Sequence, residues 1–476
     1  MDAYQNLSRE ELLGLLRQRD DQIAALQRAV AALTGEVAVL KGALEEAHRD
    51  GKRQAAPFSK GPPKKDPLRS GRKSGADHGR HGHRQPPAQD GSVALTETHV
   101  AELPQVCPFC GGALETTGEV LQHQQELLRQ AIHRIFRIQK GRCTCCGRAV
   151  RGRHALQTSD AVGAAGSQIG PDAQAMVVHL NKVGGLAHGK IAAVLTTLGV
   201  PLTAGASAQI VLRAAQRCTP AYEQIKQGVA ESSRVTPDET GWKIAGELGW
   251  LHVFVTPEVT CFHVDAKRGF EAARQILPED YEGTLIRDGW KPYERYELAA
   301  HQQCTAHLLR RCRRLIQLAQ ARGCPSAVKF PQVVQDLLLA GLALRDERQN
   351  GAIRAELFVR RREQLETLLT DHLEHYKKNP DNERLANFLR PRADQVFLYL
   401  WDNELDATNY RAETALRGPI ANRKVFGGNR TANGANAQSV LCSVIATARQ
   451  AGLDALTYLS QTLRRLTLPA LYPRPG

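Results

Sequence analysis

Two short stretches of the chain end an apolar run in acid and then in Gly-Trp. VTPDETGW (Val235–Trp242) carries an Asp-Glu pair, and LIRDGW (Leu285–Trp290) repeats the plan with one Asp. Hard divalent cations prefer carboxylate oxygens. Two of them, roughly 3.5–4 Å apart, can activate an attacking oxygen and stabilise the leaving one when a phosphodiester is cut or transferred. Acids supplied by separate segments suit that geometry. Asp238 and Asp288 are therefore the first two candidates, and a third acid is expected later in the chain. Glu239 directly follows Asp238. On a strand its side chain points to the opposite face, where it would anchor a neighbouring helix or loop.

A second set of reactive side chains lies upstream. CPFCGG (Cys107, Cys110) and CTCCGR (Cys143, Cys146) are two C-x-x-C knuckles, each followed by glycine. Four thiolates at this spacing can close tetrahedrally on one Zn²⁺, and four protein ligands leave no open position, so the metal is expected to be structural. Cys145 is the thiol left over. The chain has eleven cysteines. With no apolar signal core at its start and no apolar run approaching the ~18 residues of a membrane span, a cytoplasmic protein with free thiols is expected.

The acids need a frame. RVTPDETGW, GWLHVFVTPEV and TCFHVDA read as three successive strands, the last two tightly joined. GFEAARQIL reads as a crossover helix and GTLIRDGW as a fourth strand, which puts Asp238 and Asp288 on neighbouring strands of one mixed sheet. From His301 to about Leu400 apolar residues recur three and four apart, a helical stretch. After Trp401, TNYRAETALR reads as a short helix capped by Thr408 or Asn409. Ahead of the sheet, Asp172 to Arg217 reads as three short helices. They are compatible with a helix-turn-helix entering a major groove, or with three-helix packing alone.

The N-terminus is built differently. Leu16, Ile23, Val30, Val37 and Leu44 recur every seven residues, and Leu12, Leu26, Leu33 and Leu40 fill the other seam around Arg19. That pattern favours a parallel two-stranded coiled coil, hence a homodimer or higher assembly. Arg49 to Arg84 then holds eleven Lys/Arg against three Asp among Pro and Gly, a flexible basic linker suited to phosphates. Lys60, Lys64, Lys65, Arg69, Arg72 and Lys73 are its expected phosphate contacts, with Arg423, Lys424 and Arg430 further on. With 63 Lys+Arg against 49 Asp+Glu, the net charge of +14 also points to a polyanionic partner.

The knuckles, DETGW, RGFEAARQILP, RDGW, HQQCTAHLLR, TNYRAETALR and RKVFGGNRTANGANAQSVLCSVIATARQAG stand in one order from about Cys107 to Leu459. In that order and spacing the chain resembles the insertion-sequence 66 family of bacterial DDE transposases. The resemblance implies a ribonuclease-H-like catalytic domain with Asp238, Asp288 and Glu413 as its acids, holding two Mg²⁺ or Mn²⁺, and double-stranded DNA (element ends and target) as partner. Glu413 is favoured over nearby Asp402, Glu404 and Asp406 because Asn409, Ala412 and Glu413 match most of the family's Asn-x-Ala-Glu. HQQCTAH resembles a Cys-x-x-His element of such insertions, giving Cys304 and His307 as metal ligands or packing residues. Three positions depart from the family: Tyr410 replaces a second Asn, Thr414 an Arg beside the acid, and Arg287 a His or small polar residue.

The expected architecture is multidomain α/β. It comprises a coiled coil (1–48), basic linker (49–100), zinc-ribbon-like domain (101–160) and helical, DNA-binding-like segment (161–230). The catalytic domain (231–300 and 401–460) is interrupted by a helical insertion (301–400), and a tail (461–476) follows. The expected function is strand cleavage and transfer at element ends, with accessory proteins of the same element as further partners. The alternative is a catalytically decayed, zinc-containing DNA-binding repressor or architectural protein.

Overall fold

A computed structural model describes residues 100–115, 117, 131–162, 168–374, 377–464 and 471–472, and residues 8–10, 13–14, 18–27, 29–30 and 33–37 near the N-terminus. The chain divides into two units, residues 1–59 with 134–476, and residues 60–133. The division falls inside the expected zinc-binding segment.

Apart from Ser8, the described residues between 8 and 37 are helical, and Ile23, Leu26, Val30, Leu33 and Val37 of the heptad seams are exposed. Leu12, Leu16, Leu40 and Leu44 lie outside the described residues, as does the basic linker with Lys60, Lys64, Lys65, Arg69, Arg72 and Lys73. Strands β1 (Lys140–Arg142) and β2 (Ala149–Arg151) form an antiparallel ribbon flanking the second knuckle.

Three helices come next: α1 (Pro171–Lys182), α2 (His188–Thr197) and α3 (Ala204–Ala230). The Thr203 hydroxyl caps α3 by accepting the Ala206 N–H. At 27 residues α3 is longer than the short helix expected, because it continues through Pro220. An interior proline costs a helix roughly 3 kcal/mol. Here Ile210, Val211, Ala214, Tyr222, Ile225 and Val229 bury one continuous face, and that burial outweighs the local penalty.

A five-stranded sheet follows: β3 (Arg234–Ile244), β4 (Glu247–Val255), β5 (Thr260–Asp265), β6 (Thr284–Arg287) and β7 (Ala300–Gln303), in the order β5-β4-β3-β6-β7. The β3–β4 and β4–β5 pairs are antiparallel, while β3–β6 and β6–β7 are parallel. Ala245 (φ 53°) and Gly246 (φ 89°) make the two-residue hairpin between β3 and β4. The crossover helix is a single turn, α4 (Phe270–Ala273), and β7 is a strand where the pattern suggested helix.

The segment expected as an insertion contains α5 (Thr305–Ala321), α6 (Lys329–Gln349), α7 (Ala355–Glu374) and α8 (Pro380–Leu389). Leu308, Cys312, Val334, Leu338, Leu369 and Leu385 form a core of its own, joined to the sheet through Ile286. Among the described residues one helical stretch, 325–349, has the length and hydropathy of a membrane span, where none was expected. Its Val334, Leu338 and Leu344 are buried in the insertion.

The chain closes with α9 (Tyr410–Phe426), α10 (Ala432–Gln450) and α11 (Ala455–Leu463). Val235, Phe254, Cys261 and Leu285 share one core with α1, α2, α3, α10 and α11, so the first three helices belong to the body of the sheet. On the other face Trp242, Leu251, Val253 and Val264 pack against Ala412 and Leu416 of α9. Along the outer edge, α10 sets Ser439, Ser443 and Thr447 four residues apart on one face. Their hydroxyls accept the N–H groups of Val264 (2.9 Å), Phe262 (2.7 Å) and Thr260 (3.1 Å) on β5.

Candidate active site

Val235 stands opposite Leu285 in the parallel β3–β6 pair, so three residues further along each chain Asp238 and Asp288 come level. Strand alternation turns both toward the face covered by α9. Asp288 lies just past β6, where its Oδ1 accepts the Trp290 N–H at 2.9 Å. The intervening Gly289 has a physical reason: a Cβ there would sit 2.7 Å from the Phe388 ring of α8. In DETGW, Trp242 is buried and donates its indole N–H to Asn429 Oδ1 at 2.7 Å.

Glu413 lies in the first turn of α9, and that helix is pinned at both ends. Ahead of it, Thr305 N–H donates to Ala407 O (2.9 Å) and Asn409 N–H to the buried Cys304 Sγ (3.4 Å). Behind it, Asn429 joins the β3 hairpin through Lys243 O (2.9 Å) and the Ala245 N–H (2.8 Å). Gly428, at φ 127°, allows this docking, since a Cβ would lie 2.5 Å from Lys243 O.

Asp238 feels the other two acids. Burial pushes the Asp238 carboxyl up to about 7; the Glu239 N–H on its Oδ1 opposes this, and the charges of Glu239, Asp288 and Glu413 add to the rise. Among the described residues no three His, Cys, Asp or Glu are grouped to hold a metal ion. Glu413 Oε1 instead takes the Arg310 guanidinium at 2.9 Å, with His307 Nε2 at 3.8 Å. A set of mutually repelling carboxylates with such a raised member still fits a hard cation, whose charge would relieve the repulsion.

Glu239 occupies the opposite face, only 2% exposed. Arg268 holds its Oε1 with Nε at 3.1 Å and Nη2 at 2.8 Å, while Tyr293 donates to Oε2 at 3.1 Å. The Arg268 guanidinium also lies 4.6 Å from the Trp250 ring and 5.0 Å from the Trp290 ring. Glu239 therefore anchors the loop after β5 and the turn after Trp290. Burial raises its pKa, with Arg268 opposing.

The remaining residues named from sequence are distributed as follows. Cys304 and His307 brace the start of α9 from α5. Arg287 is 1% exposed and ties β6 inward, donating to His301 Nδ1 (2.8 Å) and Gln395 Oε1 (3.3 Å). Glu404 pairs with Arg234 at 2.7 Å and Asp406 with Arg411 at 2.5 Å, while Asp402 accepts the Glu404 N–H. Arg423 donates to Gly241 O and to Thr240 Oγ1 (3.1 Å), so it braces β3; Lys424 and Arg430 are exposed.

The two knuckles share one local fold. The Cys107 N–H donates to Gly112 O and Gly111 N–H to Cys107 O, and Cys143, Arg148 and Gly147 repeat the pattern. Gly111 (φ 73°) and Gly147 (φ 67°) supply the left-handed turns. Backbone N–H groups of Phe109 and Cys110 lower the Cys107 pKa, and those of Cys146 and Cys145 lower that of Cys143. Such cradles favour thiolate, the form that binds zinc.

Sequence reasoning missed Arg268, Tyr293 and Arg310. Nothing in the spacing marks the first two. Arg310 had a usable signal: at three residues past His307 it shares that residue's helix face.

A model of the transposase IS66 family matches residues 166–437, more than half of the 476. No curated protein matches the chain.

Proposed function

The chain belongs to the transposase IS66 family, and on that premise we propose that it cuts and joins DNA strands at the ends of a mobile element. Its acids are Asp238, Asp288 and Glu413. The observation that carries this reading is that Asp238 and Asp288 come level on two parallel strands, while the charges of Asp288 and of Glu413, on a helix more than a hundred residues on, both act on the buried Asp238 carboxyl. The strand order, three antiparallel then two parallel, supports a ribonuclease-H-like domain.

Asp238, Asp288 and Glu413 would hold two Mg²⁺ or Mn²⁺. Such a pair supplies an activated attacking oxygen and stabilises the leaving one. The chain's own part is placement. Positive charge in the site would favour the carboxylate form of Asp238, which burial disfavours. Asp288 is oriented by the Trp290 N–H, and Glu413 by a helix fixed at both ends. Lys424, Arg430 and the basic linker would meet DNA phosphates. The matched knuckles would share one structural Zn²⁺ through Cys107, Cys110, Cys143 and Cys146. The exposed heptad residues support pairing of two chains through a coiled coil in the cytoplasm.

The test is cleavage of a labelled element-end duplex with Mg²⁺. Wild type should cut it, and Asp288→Asn should bind it without cutting. Equal cleavage by both proteins would reject the reading, and binding without cleavage by both would favour the repressor.

A further inference from the structure

We propose that Arg310 is the phosphate-receiving side chain of this site, held on Glu413 while the site is empty of DNA and released when a cation takes that carboxylate. The inference rests on the three-acid reading above and adds a residue to it. Arg310 lies in the second turn of α5, its side chain 57% exposed. Its Nη2 donates to Glu413 Oε1 at 2.9 Å and lies 3.0 Å from His307 Nε2. Arginine has no acceptor, so the His307 ring accepts, and the two contacts fix the guanidinium beside the acid. Among the described residues Arg310 pairs with no other acid.

Four other arginines near the acids are committed elsewhere. Arg268 is spent on Glu239, Arg287 is buried, Arg411 is paired with Asp406, and Arg423 is bonded to β3. Thr414, next to Glu413, carries no charge. A DNA strand entering beside Glu413 thus meets in Arg310 an exposed guanidinium whose partner is itself a proposed cation ligand. An exposed pair shifts an equilibrium by at most about fivefold, so it yields readily to a doubly charged ion. The freed fork suits two phosphate oxygens, where a lysine would offer only a point charge.

The test uses the full-length, zinc-loaded chain and two probes: Mn²⁺ alone, followed by calorimetry, and a labelled mixed-sequence duplex, followed by anisotropy across a KCl series. Arg310→Gln should bind Mn²⁺ roughly threefold to fivefold more tightly, because the competing pair is gone. Its DNA-affinity salt slope should fall by about 0.9 when Mn²⁺ is present and stay unchanged without added divalent cation, where Arg310 remains on Glu413. Arg310→Lys should keep wild-type Mn²⁺ affinity and recover the slope. Unchanged Mn²⁺ affinity in Arg310→Gln, or a slope change equal with and without Mn²⁺, overturns the proposal. Asp238→Asn separates the two ideas. If it loses Mn²⁺ while Arg310→Gln behaves as wild type, only the role of Arg310 fails. If Asp238→Asn binds Mn²⁺ normally, the three-acid reading fails and the proposal with it.

Discussion

The two faces of the central sheet treat adjacent carboxylates in opposite ways. On one face Glu239 is enclosed by Arg268 and Tyr293 and backed by two indole rings. On the other, among the described residues, Asp238 takes only the N–H of its own neighbour, and the charges of further acids act on it. Both residues belong to one strand, and the two-residue alternation alone separates them. The enclosed face spends its polar groups on rigidity. The face of Asp238 leaves a buried carboxyl exposed to the charges of Glu239, Asp288 and Glu413.

The sharpest way to break this contrast is to neutralise one acid at a time. Asp238→Asn, Asp288→Asn and Glu413→Gln should each lower strand cleavage by roughly a thousandfold or more. DNA affinity should hold, because phosphate contacts dominate it. Glu239→Gln should instead leave measurable cleavage and lower the melting temperature. If Glu239→Gln matched Asp238→Asn in cleavage assays, the two faces would not differ as described.

Next comes the enclosed face itself. Arg268→Ala leaves the Glu239 carboxylate buried with only Tyr293 and strips the two indoles of their cation. Allowing for the half-exposed guanidinium, the loss should be about 2–3 kcal/mol in denaturant unfolding.

His252 shares that face, opposite Glu239 in register, and burial holds its imidazole down to about 4. The unfolded chain protonates near 6.5, so between those values it binds more protons than the folded one. Stability should therefore fall as pH drops from about 6.5 to about 4, by up to about 3 kcal/mol. His252→Gln should flatten part of that slope in melts taken across the range; an unaltered slope would remove His252 from the account. Smallest is Tyr293→Phe, which deletes one hydrogen bond to a carboxylate that keeps Arg268. It should cost about 1–2 kcal/mol by urea unfolding.

Much of this frame was legible. Strands β3 to β6 show in alternation and turn residues, and their order places Asp238 and Asp288 side by side. What escaped had weak local signals. AHQQ of β7 is four residues with one apolar side chain, and it is a strand because β6 offers a parallel edge. Pro220 reads as a helix stop, yet long-range burial carries α3 past it. The pairing of Arg310 with Glu413 spans 103 residues, and no periodicity reports contacts at that range. Glu413 itself was reached through family likeness, since several acids nearby were equally plausible by pattern.

The hydroxyl ladder of α10 has a consequence in time. Its residues follow the β5 groups that they satisfy by 175 to 187 positions. At about 5–20 residues per second, a ribosome takes roughly 10–40 s to cross that gap. Until then the outer strand carries bare N–H groups, a template for pairing with another nascent chain. Polysomes translating this message would be most prone to clumping in that interval, and a chain stopped short of Ser439 would keep the open edge permanently.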